Sequence, residues 1–317
     1  MTIGRTRDLD GKLIALVGGT GFLGTHLAQD LLDRGARLRI ASRHPEKGFK
    51  VKPLGNLGQV QVVAVDVTKP HTLRVALTGV DAVVNLVGAI ACNLDSVQGK
   101  GAGQIAAIAR EAGAKVFVHV SAIGADAASP IAYARTKAEG EAAVLAAFPD
   151  AVVLRPSVLF GADDRFLTLF AGLMALPVLP VFAPAAKVQP LDVDDAAQAI
   201  GNVLAAPAAH AGKTYELAGP EVLSVLDLNR RIARATQRSP LFVELPDGLA
   251  GLIAALPLTP ISRDQYALLR QGNVASGALP GIRELGVQPR PLDLFLDRWL
   301  VTYRKHGRFG ARSRATA

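Results

Sequence analysis

The feature that constrains this chain most is a run of glycines between an apolar pentapeptide and a segment of helical pattern. Leu13-Ile-Ala-Leu-Val17 leads into Gly18-Gly19-Thr20-Gly21-Phe22-Leu23-Gly24, and Leu27, Leu31 and Leu32 continue one apolar face before Gly35. A short apolar run bounded by glycines reads as a buried parallel strand. The spacing after it predicts a helix over 22–34, closed by Gly35. Gly19, Gly21 and Gly24 satisfy G-x-G-x-x-G, and Gly18, Gly21 and Gly24 satisfy the wider G-x-x-G-x-x-G. Such a turn needs positive φ, a backbone that approaches a pyrophosphate without a Cβ, and close packing of helix on strand. The helix start then offers free N–H groups and a partial positive charge to the phosphates. Gly18, Gly19, Thr20, Gly21, Phe22, Leu23 and Gly24 are the candidate contacts for a dinucleotide.

The alternation continues. Strands are predicted at Arg37–Ala41, Gln61–Val65, Asp81–Val87, Lys115–Val120 and Ala151–Leu154, with helices at Ser96–Ala112 and Ile131–Phe148 among the connections. Repeated strand–helix–strand units imply an α/β fold, a Rossmann-type doubly wound parallel sheet with right-handed crossovers. After Arg155-Pro156 prolines become frequent and the alternation loosens. Residues 1–155 are therefore expected to form the dinucleotide-binding domain. Residues 156–302 are expected to form a smaller C-terminal α+β lobe, some of whose elements return to the sheet. Residues 303–317 read as a basic tail.

Composition narrows the class. The chain has 317 residues, half of them hydrophobic, with a net charge of +8. Its one cysteine, Cys92, excludes an intramolecular disulfide and a multi-cysteine metal site, and fits a reducing compartment as a small buried thiol. No metal is expected. The N-terminus lacks the pattern of a secretion signal. The longest apolar segments, Ala171–Ala186 and Gly248–Ile261, are broken by Pro177, Pro180 and Pro184 and by Pro257 and Pro260, so neither reads as a membrane span. Arg304, Lys305, His306, Arg308, Arg312 and Arg314 have no acid among them. That pattern is a solvated terminus, or a surface for anionic lipid or an acidic partner. No nucleic-acid motif accompanies it, and no nucleic acid is expected. The Ala-, Leu- and Arg-rich composition without a presequence points to a GC-rich bacterium and a cytoplasmic location.

The second strand ends in Ile40-Ala41-Ser42-Arg43-His44, where NAD-binding domains usually carry a carboxylate for the ribose 2′-hydroxyl. Arg43 can instead pair with a 2′-phosphate, a charge-assisted contact of about 1.5–3 kcal/mol. The expected cofactor is NADPH rather than NADH, with Ser42 and Arg43 among its contacts. Asp66 and Val67 follow the third strand, at the adenine. Val87 and Gly88 follow the fourth, at the nicotinamide ribose.

Ser121 ends the fifth strand, and Tyr133-Ala-Arg-Thr-Lys137 follows on a helix. A spacing of four puts both side chains on one face. At about 5 Å and an effective dielectric of about 20, the lysine would lower the tyrosine by roughly two pKa units. Tyr133 could then exchange a proton with a carbonyl or alcohol while Ser121 orients the oxygen. Ser121, Tyr133 and Lys137 are the candidate catalytic residues.

The glycine turn with Ser121, Tyr133 and Lys137 resembles the short-chain dehydrogenase/reductase superfamily in its extended or atypical branch. Leu154-Arg155-Pro156-Ser157 and Gln189-Pro190-Leu191-Asp192-Val193-Asp194-Asp195 resemble that branch's later landmarks, which adds Pro156 to the cofactor contacts. The superfamily often has an asparagine on the helix after strand four. Here Ser96-Val97-Gln98-Gly99 stands there, with Ser96 expected at that position. A more specific resemblance spans nearly the whole chain. Gly19–Gly24, Leu54-Gly55-Asn56-Leu57-Gly58-Gln59, Asp164-Arg165-Phe166-Leu167, Leu258–Asp264 and Ile282-Arg283-Glu284-Leu285-Gly286-Val287 look like the NADPH-binding Rossmann accessory subunit of respiratory complex I and its bacterial relatives.

That resemblance implies a tightly held NADPH with a structural or regulatory role. It also implies complex I subunits as partners and peripheral contact with the cytoplasmic face of the inner membrane. The alternative is a working NADPH-dependent reductase or dehydrogenase acting on an apolar carbonyl or alcohol. An epimerase of the same fold is a weaker alternative, because no sugar-binding signature is visible.

Overall fold

The computed structural model describes residues 7–90, 93–254 and 263–305. Cys92, most of the Leu258–Asp264 motif and the tail from His306 on lie outside these. In chain order the elements begin β1 (Leu13–Val17), α1 (Phe22–Asp33), β2 (Arg37–Ser42), β3 (Val60–Ala64), α2 (Pro70–Leu77), β4 (Ala82–Asn85), α3 (Lys100–Glu111), β5 (Val116–Val120), α4 (Ala132–Ala147) and β6 (Val152–Pro156). They continue β7 (Leu159–Phe160), α5 (Phe166–Leu173), β8 (Val178–Val181), β9 (Lys187–Val188), β10 (Leu191–Asp192), α6 (Val193–Ala205), α7 (Pro207–His210), β11 (Thr214–Leu217), β12 (Leu223–Ser224) and α8 (Val225–Ala235). The last are β13 (Leu241–Glu244), α9 (Asp247–Ala254), α10 (Arg263–Gln271) and α11 (Asp293–Trp299).

Two units divide the chain. Unit 1 takes the residues up to Pro156, Val193–Leu217 and Ser276–Gln288. Its seven-stranded sheet has the order β11-β6-β5-β4-β1-β2-β3, and every pair in it is parallel. The order reverses between β1 and β4, the crevice where ligands of such sheets bind. β1, β4 and β5 are almost wholly buried apolar runs because helices cover both faces.

On one face of unit 1, α6 packs on α1, locked by Arg34, which donates to Asp30 at 2.7 Å and to Asn202 at 2.8 Å. On the other, α3 and α4 approach closely because Gly103 and Gly140 face backbone and Ala143 where a Cβ would clash. The predicted helix over 96–112 is not uniform. Asp95–Gly99 forms a π-helical turn, and α3 starts only at Lys100. The third segment of unit 1 meets β11 through Ser276, whose N–H and hydroxyl donate to Glu216 at 2.6 and 2.8 Å.

Unit 2 takes Ser157–Asp192, Ala218–Ala275 and the residues from Pro289 on. Its strands form only two-stranded pieces, β10-β7, β12-β9 and β13-β8. Its core is built from helices and rings. Phe160 sits 6.0 Å from both Phe295 and Trp299, which stack at 4.5 Å, and Leu167, Leu228, Ile232 and Leu296 complete the cluster. Ser224 caps α8 by accepting from the Asp227 N–H at 3.0 Å. Of the apolar segment Ala171–Ala186, Ala171, Leu179 and Val181 are buried while Leu176 and Val178 are exposed. In the described part of Gly248–Ile261, Ala250 is buried and Leu249 and Leu252 are exposed. No helix among the described residues is long and apolar enough to cross a membrane.

Candidate functional site

The turn between β1 and α1 uses its glycines for different reasons. Gly18 adopts φ +84°, and a Cβ there would lie 3.2 Å from the Leu86–Val87 peptide at the end of β4. A Cβ on Gly19 would lie 2.7 Å from the Leu16 Cβ, and one on Gly24 2.6 Å from the Gly19 carbonyl. The fold itself therefore demands these three. Gly21 differs: its φ is −75° and a Cβ would find only ordinary contact, at 3.4 Å. Its smallness serves open space above the turn, as a backbone that must meet a pyrophosphate requires. The first turn of α1 has no side-chain cap and no acidic residue, so its N–H groups are open to an anion. Phe22 and Leu23 open that turn.

Thr20 reaches across to the end of β2, its hydroxyl 2.9 Å from that of Ser42. Arg43, the next residue, is exposed, and no carboxylate stands at this strand end. Asp66 follows β3. Its carboxylate accepts from the Thr68 hydroxyl and N–H at 2.7 and 3.0 Å, and these bonds hold its pKa below the usual range, with a smaller contribution from the Arg43 charge. The Val67 side chain is buried in the core of unit 1, and its carbonyl accepts from Gln104. Of that pair, only Asp66 presents its side chain to the surface.

Ser121, Tyr133 and Lys137 come from β5 and α4. The Lys137 Nζ is buried and donates to the Val120 carbonyl at 3.3 Å. It also lies 3.5 Å from where a Cβ on Gly88 would be, which places the loop after β4 beside the lysine. Burial pushes the Lys137 pKa down to about 8, with Glu141 opposing the shift. Burial pushes Tyr133 up, not down. The expectation that the lysine lowers the tyrosine is thus corrected: burial disfavours the charged form of each group and sets the direction of both shifts. The Ser121 Oγ is buried and has no hydrogen-bond partner among the described residues. A buried hydroxyl of this kind is an open place for a bound polar atom. Pro156 closes β6 as the last residue of unit 1's first segment, buried beside the Ser121–Ile123 loop, whose Ile123 N–H donates to its carbonyl at 3.0 Å.

Three groups that the sequence did not single out shape this edge. Gln98, not Ser96, faces inward from the helix after β4. Its Oε1 accepts from the Ala89 N–H at 3.2 Å and its Nε2 donates to the Thr136 hydroxyl at 2.8 Å. Ser96 is exposed, its hydroxyl donating to the Asn93 carbonyl at 3.1 Å. Counting back by four from Ala102 and seven from Ile105, both buried, lands on Gln98, and that signal was available in the sequence. The other two are Asn85 and His119, both fully buried. Asn85 accepts from the Val87 N–H at 3.1 Å and donates to His119 Nδ1 at 3.1 Å. His119 is kept neutral, its pKa pushed down to about 3 by burial and the nearby Lys137. Together they fix the Val87–Gly88 loop against the glycine turn. Among the described residues no cluster of His, Cys, Asp and Glu could hold a metal ion.

Residues 18–165 match the family model described as NAD(P)H-binding, and the chain carries such a domain. Over 304 residues it is 31% identical to the mitochondrial NADH dehydrogenase (ubiquinone) 1 alpha subcomplex subunit 9 of Rattus norvegicus, covering 92% of this chain and 80% of that one. The chain belongs to the family of that subunit. It is also 35% identical over 190 residues to a ceramide reductase of Caulobacter vibrioides, 58% of either chain. A nucleoside-diphosphate-sugar epimerase from Staphylococcus aureus superposes with a TM-score of 0.72 at 18% identity, covering 90% of this chain and 99% of that one. That likeness concerns the fold.

The motifs that resemble the subunit 9 family do structural work. Gln59 ties the loop before β3 to the α1–β2 turn, donating to the Ala36 carbonyl at 2.8 Å. Asp164 accepts from the Gly161 and Leu167 N–H groups at 2.9 and 2.8 Å and so starts α5. Burial raises its pKa. Gly286, at φ +75°, ends a short 3-10 helix (Ile282–Leu285) whose last carbonyl accepts from Asn202 of α6 at 2.8 Å.

Proposed function

We propose that this protein holds NADPH in unit 1 as a fixed cofactor and serves as an accessory subunit of an NADH:ubiquinone oxidoreductase, at the periphery of the membrane. The observation that carries the reading is family membership over 92% of the chain, well beyond the nucleotide-binding half. In this reading the glycine turn and the start of α1 hold the pyrophosphate. Ser42 and Arg43 take the 2′-phosphate, Asp66 borders the adenine, and Lys137 beside Gly88 holds the nicotinamide ribose. Bound NADPH brings a hydride that can be transferred to a carbonyl. The residues here favour holding over turnover. Burial raises the Tyr133 pKa, away from neutrality, and the inward-facing Gln98 amide is spent bonding Ala89 and Thr136. The exposed Leu249 and Leu252 provide apolar surface for a membrane or a partner.

A second reading, an NADPH-dependent reductase of an apolar carbonyl, is favoured by the unpartnered Ser121 hydroxyl and by the ceramide reductase relative. There, Ser121 would bond the carbonyl oxygen and Tyr133 would donate its proton. Solubilising the native membranes in mild detergent and identifying what co-purifies with the tagged protein tests the partner. Subunits of the oxidoreductase in fixed proportion support the first reading. A protein that purifies alone, and oxidises NADPH when given long-chain ketones, establishes the second.

A further inference from the structure

Unit 2 contains a cavity of about 150 Å³ that the nucleotide-binding reading leaves without a role. Its walls are apolar: Leu169, Phe170 and Leu173 from α5, Leu179 and Val181 from β8, and Leu269 from α10. One polar side chain interrupts them, Asn229 of α8, which is 1% exposed. Its Nδ2 donates to the Val225 carbonyl at 2.8 Å, which fixes the orientation of the amide. The Oδ1 is then a buried acceptor with no partner among the described residues. An unsatisfied buried acceptor costs about 1–3 kcal/mol, and a leucine of similar size would fill this position without that cost. Cavities of this size lined by leucine and phenylalanine are poor sites for water, which needs two or more polar partners, and good sites for small apolar molecules.

We propose that this cavity is a second ligand site, taking an apolar molecule or chain end that carries one hydrogen-bond donor, a hydroxyl or amide N–H, directed at Asn229. The apolar walls supply affinity, and the single acceptor selects and orients the donor. This site uses no residue of the nucleotide site and stands whether or not that reading holds.

The test is to titrate the full-length protein with n-hexanol and with n-hexyl methyl ether, which lacks the donor. Leucine and valine methyl resonances report binding. The proposal predicts that both perturb the methyls of Leu173, Leu179 and Val181, and that the alcohol binds about two- to tenfold tighter, the worth of one hydrogen bond. In Asn229→Leu that preference disappears. Leu173→Trp, which fills the space, abolishes binding of both probes. Absence of alcohol binding in the wild type, a cavity that holds only an ordered water on Asn229, or an alcohol preference that survives Asn229→Leu would each overturn it.

Discussion

The two units bury apolar side chains by different means, and the difference explains what each can be used for. In unit 1 seven parallel strands lie between helices, so every loop at one sheet edge is held at both ends by buried backbone pairing. The groups of the candidate site are fixed by close backbone approach: Gly18 against Leu86–Val87, Gly88 against Lys137, Asn85 on the Val87 N–H. Unit 2 has strands of two to four residues and draws its cohesion from α5, α8, α11 and the rings of Phe160, Phe295 and Trp299. Packing of that kind tolerates gaps, and it leaves one, beside Asn229. A rigid edge positions a cofactor; a helical core with a void accommodates an apolar guest.

Four substitutions break or sharpen this contrast. The largest effect is expected from Phe160→Ala, which removes a fully buried ring from the unit 2 cluster and should cost about 3–5 kcal/mol. The chain has a single tryptophan, Trp299, so its fluorescence during urea unfolding reads unit 2 directly. A loss below about 1 kcal/mol would show that the rings are not the cohesive element.

Lys137→Met probes the edge of the sheet. Because burial lowers Lys137 from 10.5 to about 8, the unfolded chain binds the proton more tightly. Stability should therefore rise with pH between about 8 and 10, and the penalty is fully present below 8. The substitution should remove that slope and stabilise the nucleotide-free protein at pH 7 by up to roughly 3 kcal/mol, while weakening nucleotide binding. Thermal melts across that pH range check it, and a slope unchanged by the substitution would place the lysine charge in solvent.

Arg43→Asp should cost NADPH affinity about ten- to a hundredfold, from a charge-assisted bond of about 1.5–3 kcal/mol, and leave NADH nearly unaffected. Calorimetry with both nucleotides decides, and equal losses would remove Arg43 from the 2′-phosphate. The smallest effect is expected from Tyr133→Phe, within about 0.5 kcal/mol on nucleotide binding. If binding collapses instead, the hydroxyl is part of the scaffold.

The parallel sheet was legible because its signals are local. Strands β1 to β6 are short apolar or alternating runs between turn residues, and the predicted and observed bounds differ by two residues at most. The glycine turn was legible because Gly18 needs a positive φ and a Cβ on Gly19 or Gly24 would come within 3 Å of a neighbouring atom. The π-turn at Asp95–Gly99 was not, since no residue type specifies it, whereas the inward place of Gln98 could have been counted back from Ala102 and Ile105. The direction of the Tyr133 shift was not legible either, because spacing gives the neighbour's charge but not the desolvation that opposes it. Unit 2 escaped for a third reason: two-residue strands such as β7 and β10 carry no period, and their pairing depends on distant segments.

The central claim, that unit 1 holds NADPH as a resident cofactor, is tested most directly by denaturing protein freshly purified from its native source and quantifying the nucleotide released. The account predicts NADP(H) at close to one per chain, surviving gel filtration. NAD(H) in its place would contradict the role given to Ser42 and Arg43, and protein that emerges free of nucleotide but binds NADPH weakly and reversibly would contradict a fixed cofactor.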